Sequence, residues 1–234
     1  MRLLPVLGSA LVSAATALAL VAAVVALFLS PAWVAFEQGR ADAAGWTGYG
    51  PTDLRTATDA ILADLVLGPP DFDVRIGREA VLTEPERAHM RDVRGVFTGF
   101  YALAAAAAVM LAIGWWTATR PGAWNRDRYW RAVRRGSLVL SGTIGIAGVV
   151  ALVAFDAAFE LFHGLLFRSG TYDFDPRTYR LTQLFPDAFW SETTLVAGAA
   201  ILVVAVGVAV VTTRRLRAPD CVAAMTGAVA GAGR

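Results

Sequence analysis

The sequence contains no lysine, one cysteine and two histidines in 234 residues. All 21 basic residues are therefore arginine. The lone Cys221 excludes an internal disulfide and any multi-cysteine metal cluster. Charged residues make up 17%, against about 25% in an ordinary soluble protein. Hydrophobic residues reach 56%, where soluble domains stop at about 45–50%. Together these values argue against a soluble globular enzyme, a nucleic-acid binder and a disordered chain. There is no G-x-S-x-G, no H-E-x-x-H and no P-loop, so serine-hydrolase, zincin and nucleotide-hydrolase readings lack their motifs. No cofactor fingerprint is present and no cofactor is expected. Repeats and heptads are also absent.

What is present is apolar length. Crossing a bilayer takes about 20 mostly apolar residues, and four segments supply them. The expected organisation is a first span over 1–30, an outer subdomain over 31–95 and a second span over 96–117. An Arg-rich loop over 118–136, a third span over 137–167 and an outer loop over 168–192 follow. A fourth span over 193–213 leads into a tail over 214–234. The first segment is too long for the roughly 7–15-residue core of a signal peptide, and no clear A-x-A site follows it, so it is read as a retained span. The fold class is an all-α membrane protein of four transmembrane helices with a mostly helical extracytoplasmic insertion between spans one and two. The run Ala104 to Ala108 and the glycines Gly142, Gly145 and Gly148 are read as close helix packing. The tail beyond Arg217, rich in small residues, is expected to be disordered, and Cys221 within it is given no role.

Charge orients the spans. The two termini and the loop 118–136 carry 11 Arg and 2 acids. The connection 31–95 carries 7 Arg and 11 acids, and 168–192 carries 3 Arg and 4 acids. Positively charged loops stay in the cytoplasm. Both termini and the Arg-rich loop are thus expected on the cytoplasmic side, with the two acidic connections outside. Aromatic residues such as Trp33, Phe97, Phe167 and Trp190 border those connections, as an interfacial belt requires.

Within the large outer connection, Leu54, Ala57, Ile61, Leu62 and Leu65 recur at helical spacing. The helix opens near Pro51 and stops at Gly68-Pro69-Pro70. Thr83 and Glu86 form an S/T-x-x-E capping pattern. The helix it starts is expected to run through His89 and Arg94 into the second span without a break.

Both histidines fall at outer-face positions. Asp156, Phe159, Glu160 and His163 are spaced 0, 3, 4 and 7, and so share a helical face near one end of the third span. Carboxylates and an imidazole inside a span are costly in lipid, which makes a functional site the default hypothesis. A carboxylate one turn from His163 can hold its tautomer and raise its basicity. His89 lies between Glu86 and Asp92, three residues from each, on a polar helical face at the water interface. The plain alternatives are a solvated surface for His89 and an Asp–His–Glu network that only packs helices for His163. Two histidines with an acid could also hold zinc, and their spacing neither supports nor excludes it.

The block Glu84-x-Glu86-Arg87-x-His89-Met90-x-Asp92-Val93 resembles a motif of a bacterial four-span integral membrane protein family, the one that includes Lit, the lipoprotein intramolecular transacylase. Phe155-Asp156-x-x-Phe159-x-x-Phe162-His163-x-x-x-Phe167 is similar to a second motif of that family. Phe174-Asp-Pro176 and Leu184-Phe185-Pro186-x-x-Phe189-Trp190 extend the likeness. The resemblance implies a membrane acyltransferase that moves an O-linked acyl chain of a diacylglyceryl-cysteine lipoprotein to its N-terminal amine at the outer leaflet. It implies His89 and His163 as catalytic residues. Asp156, Glu160, Glu86, Asp92, Arg87 and Arg168 are the candidate supporting groups, and no metal is assigned. The expected partners are a diacylated lipoprotein and membrane lipid, with no nucleic acid; the oligomeric state is left open.

Two other classes stay open at this level: a non-enzymatic membrane scaffold, and a related lipid-modifying or metal-dependent hydrolase. Geometry separates the first from an enzyme. Imidazoles converging within about 10 Å can bracket one reacting centre, whereas imidazoles on opposite sides cannot.

Overall fold

A computed structural model describes residues 3–121 and 124–231, with side chains for 6–121 and 124–217. Arg2, Arg234 and the side chain of Cys221 lie outside these bounds. Four helices are long and apolar enough to cross a membrane. They are α1 (Leu3–Phe28), α5 (Glu84–Ala118), α6 (Arg126–Val153) and α9 (Asp187–Gly231). α9 continues as helix through the stretch the sequence reading left disordered. At 1.5 Å per residue α5 is about 52 Å long, well beyond about 30 Å of hydrocarbon. Its polar opening turns, Glu84 to Gly95, thus extend the apolar rod as expected, without a break.

Between α1 and α5 come α2 (Pro31–Arg40), α3 (Ala43–Thr47), α4 (Pro51–Val66) and a two-stranded antiparallel hairpin of β1 (Arg75–Ile76) and β2 (Glu79–Ala80). Local chemistry sets most of these boundaries. Ser30 Oγ accepts the Trp33 N–H, and Pro31 pre-sets the first turn of α2. Asp42 caps α3 by accepting the Gly45 N–H at 3.2 Å. Gly48 ends that helix at φ 70°, a left-handed conformation suited to glycine. Pro51 opens α4. Gly77, at φ 61°, and Arg78 make the two-residue hairpin turn. That hairpin departs from the purely helical insertion expected.

A larger correction concerns the third span. The helix that starts at Arg126 stops at Val153, because Ala154 leaves helical geometry at φ −147°, ψ 51°. A separate 12-residue helix, α7 (Phe155–Leu166), follows. No proline or glycine marks the break. Val149, Val150 and Val153 are β-branched and lower helix propensity just before it. Asp156 then falls in the first turn of α7, where a carboxylate suits the helix N-terminus, and His163 falls in its last turn. A short helix, α8 (Arg180–Leu184), precedes α9.

The chain forms two compact units. One comprises Met1–Val21, Leu103–Gly145 and Ala200–Arg234. In it Val12, Ala118, Tyr129, Ala132 and Val133 form a buried cluster. α1 and α6 meet backbone to backbone. Ser13 Oγ donates to the Ala132 carbonyl at 2.8 Å, and a Cβ on Gly136 would collide with the Ser13 carbonyl. The glycines expected to pack, Gly142, Gly145 and Gly148, face open space instead. Of the alanine run, only Ala107 is buried.

The other unit comprises Ala22–Ala102 and Ile146–Ala199. Its core joins Ala57, Ile61 and Leu65 of α4 with Phe72, Val74, Val81 and Leu82 around the hairpin, Met90 of α5, and Leu181 and Leu184 of α8. Buried aliphatic and aromatic side chains of this size contribute about 1.5–3 kcal/mol each. Gln38 and Arg94 are matched against this core. Gln38 donates to the Leu184 carbonyl at 2.9 Å and accepts from Thr58 at 3.1 Å. Arg94 of α5 donates to the carbonyls of Asp64 and Gly68, closing the C-terminal end of α4.

Candidate active site

The second unit brings the two histidines together. The His89 and His163 ring centroids are 6.3 Å apart, with the planes 25° from parallel. This is the convergent arrangement that an enzyme requires.

His89 sits one turn above Glu86 in α5 and is 7% exposed. Phe167 lies edge-on to it at 4.9 Å and Phe174 at 5.7 Å. Its Nδ1 is buried without a hydrogen-bond partner. Buried polar atoms are nearly always satisfied, so an open one in a ring stacked beside a second imidazole calls for an explanation.

His163 is half-buried in the last turn of α7. Its Nδ1 lies 2.8 Å from the Phe159 carbonyl one turn earlier. A carbonyl only accepts, so Nδ1 carries the proton, and in the neutral ring the lone pair stands on Nε2. Phe159 stacks on His163 at 4.0 Å, and Phe162, Phe167 and Tyr172 surround it at 5.3–5.6 Å. The α7 face that turns inward is therefore Phe155, Phe159, His163, at steps of four. Asp156 and Glu160 lie on the adjacent, exposed face. Neither is hydrogen-bonded to His163, whose tautomer is fixed by a backbone carbonyl instead. Two imidazolium charges this close would repel, and neither ring is hydrogen-bonded to a carboxylate.

The remaining candidates are dispersed. Glu86 is completely buried and does not address His89. One carboxylate oxygen accepts from the Thr83 N–H and hydroxyl, each at 2.7 Å, and the other accepts the Leu181 N–H at 2.7 Å. The capping signal is thus present, but the same carboxylate also anchors α8. Arg87 donates to the Asp71 carbonyl at 2.8 Å and lies near Asp73 and Glu84, away from the imidazoles. Asp92 is exposed on α5. Arg168 is exposed in the turn after α7, where its carbonyl accepts from Thr171.

The sequence reading did not assign the aromatic enclosure of Phe159, Phe167, Tyr172 and Phe174 to the site. Its only signal was the phenylalanine spacing around His163. Among the described residues, no three His, Cys, Asp or Glu side chains gather as metal ligands.

A second buried carboxylate stands on α2. Glu37 is 1% exposed and one of its oxygens has no partner. Burial pushes its carboxyl above the usual range, and the hydrogen bond and charge of Glu192 push the same way; Arg40 opposes them. Arg40 instead pairs tightly with Glu192 at 2.6 Å.

Four helices able to span a membrane and an enclosed imidazole pair define a polytopic membrane protein. The chain belongs to the family described as lipoprotein intramolecular transacylase Lit, whose profile matches residues 10–190. It is accordingly a membrane enzyme of the transferase type. The solved structure of the membrane integral lipoprotein intramolecular transacylase Lit from Bacillus cereus aligns with a TM-score of 0.75 at 17% identity, covering 96% of this chain and 100% of that one. Two variants of that protein, with a histidine replaced by arginine or by alanine, align at TM-score 0.70 and 19% identity. They cover 95% and 94% of this chain, and 94% and 96% of theirs. These likenesses establish a shared fold. No curated protein matches the chain by sequence.

Proposed function

We propose that this chain transfers an acyl chain from the glycerol of a diacylglyceryl-cysteine lipoprotein to the α-amino group of the same cysteine. The observation that carries this reading is the apposition of His89 and His163 at 6.3 Å, with His163 Nδ1 tied to a carbonyl. That tie leaves Nε2 as a base with a defined direction. An α-ammonium has a pKa of about 7.7–8.0, so it needs a proton acceptor near neutral pH.

His163 takes a proton from the substrate ammonium. The freed amine attacks the ester carbonyl, forming the C–N bond and an oxyanion. His89, with its unpaired ring nitrogen, polarises that oxygen. Collapse breaks the C–O bond. The glycerol oxygen leaves with the proton held by His163, which then takes the second proton from the nitrogen and releases it to bulk solvent, so the amide, a free hydroxyl and one proton are the products. Both reacting groups are tethered to one cysteine, so proximity comes from the substrate. The phenylalanine and tyrosine rings supply an apolar surround that suits acyl chains and excludes water. Asp156, Glu160, Asp92 and Arg168 stay outside this route, and Glu86 and Arg87 support it by holding α5 in place.

The charge distribution supports an orientation with both termini in the cytoplasm and the histidines at the outer leaflet of the inner membrane, where lipoproteins mature. Mass spectrometry of lipoprotein N-termini from cells producing the protein tests the proposal. The amide-linked lyso form is expected with the native chain and is expected to vanish with His163→Ala or His89→Ala. Undiminished lyso form from His163→Ala would overturn the mechanism, and its absence with the native chain would overturn the reaction.

A further inference from the structure

The first compact unit holds a groove of about 340 Å³ that the acyl-transfer reading does not use. Leu138 of α6 forms one wall, and Val206, Ala209 and Val210 of α9 form the other. Thr213, Arg214 and Arg217 close one end. The α9 positions recur at steps of three and four, so they make a continuous stripe on one helix face. From Val206 to Arg217 the stripe rises about 16 Å, close to half of about 30 Å of hydrocarbon. The groove is thus one leaflet deep, apolar along its length and cationic at its end.

The arginines at that end are open. Arg214 and Arg217 are exposed, and among the described residues no carboxylate pairs with either. Their neighbour Arg215 differs, because its guanidinium lies over the Trp130 ring at 5.0 Å. The Thr213 hydroxyl donates to the Ala209 carbonyl at 2.7 Å, so its donor capacity is already taken. Among the described residues, charge at the groove mouth therefore comes from two guanidiniums alone.

We propose that this groove binds one anionic glycerophospholipid from the leaflet on the arginine-rich side. An acyl chain lies along Leu138, Val206 and Val210, and the phosphate meets Arg214 and Arg217. Guanidiniums bind phosphate through paired, charge-assisted hydrogen bonds, and basic pockets between spanning helices select anionic headgroups. A second copy of the chain is the poorer occupant. A two-fold contact presents the same patch from both sides and would set these arginines against their own counterparts.

Native mass spectrometry of the full-length protein, released from detergent with equimolar phosphatidylglycerol and phosphatidylcholine, tests the assignment. The native chain is expected to retain phosphatidylglycerol at least fivefold over phosphatidylcholine. Arg214→Gln with Arg217→Gln should equalise the two, and Val210→Trp, which fills the groove and leaves both charges, should reduce retention of both. Arg120→Gln removes an arginine stacked on Trp116, outside the groove, and should change nothing. Equal retention by the native chain, selectivity that survives the double substitution, or lipid retention unaffected by Val210→Trp would each overturn the proposal. So would a lipid-free dimer. All three arginines are surface groups, so the charge variants fold and the result is readable without the groove-filling one.

Discussion

The Glu86 carboxylate accepts the Leu181 N–H at 2.7 Å, joining residues 95 positions apart. Both oxygens of this completely buried acid are engaged, one on Thr83 and one on the start of α8. Hydrogen bonds to a charged group contribute about 1.5–3 kcal/mol each, and a buried N–H left unpaired costs about 1–3 kcal/mol. Glu86→Ala should therefore lower stability by about 3–5 kcal/mol. Glu86→Gln, which keeps one acceptor oxygen, should cost less. Thermal unfolding in detergent, followed by tryptophan fluorescence, reads both values.

Arg94 offers a second test. It donates to the Asp64 and Gly68 carbonyls at the open end of α4. Arg94→Leu keeps the apolar stem and removes the donors, so it should cost about 2 kcal/mol. The loss should be local. Hydrogen exchange is expected to speed up over residues 63–70 while the rest of α5 stays protected.

Glu37 predicts a pH response. Its carboxyl titrates above the ordinary 4.5 because it is buried and shares a proton-rich contact with Glu192. Folding thus favours the neutral form. The associated stability is complete below about 4.5 and declines as pH rises through the higher folded-state value. Glu37→Gln stays neutral at every pH. It should match the native chain in thermal unfolding at pH 4 and exceed it at pH 8. An advantage that appears only at low pH would refute the assignment.

Glycines on α6 should divide into two groups. Gly136 meets the Ser13 backbone, whereas Gly142 and Gly145 meet nothing. Gly136→Leu forces α1 and α6 apart and should cost more than about 3 kcal/mol, at the upper end of overpacking. Gly142→Ala should be neutral or stabilising by up to about 1 kcal/mol, from helix propensity. Denaturation of the two variants side by side measures the contrast.

These glycines also illustrate what the sequence conveys. Span count, the extent of α4, the Thr83–Glu86 cap and the unbroken α5 follow from periodicity, capping and length, all of which act within a few residues. The packing role of a glycine depends on what lies opposite it. Gly136 and Gly142 look alike in the chain, and only α1 tells them apart. The break at Ala154 was similarly hidden, with no proline or glycine to mark it. It puts Asp156 and Glu160 in the separate α7, on its exposed face, and not in the helix Arg126–Val153. The nearness of His163 to Phe159 one turn away and to His89 on another helix does not require a continuous third span. The hairpin at Gly77 was the more legible omission, since a glycine-first two-residue turn between Ile76 and Glu79 is a recognised signal.

The Glu86–Leu181 link has one more consequence, for biogenesis. The start of α5 can cap itself through Thr83, but the first amide of α8, that of Leu181, has to wait for its acceptor on α5. Half of the histidine pair leaves the ribosome long before the other half. A nascent chain that has made only its first two spans carries His89 and Glu86 with no second imidazole, no Leu181 amide and no aromatic enclosure. The imidazole pair and its ring enclosure therefore come together only after translation has passed Phe174, and the link to Glu86 only after it has passed Leu181.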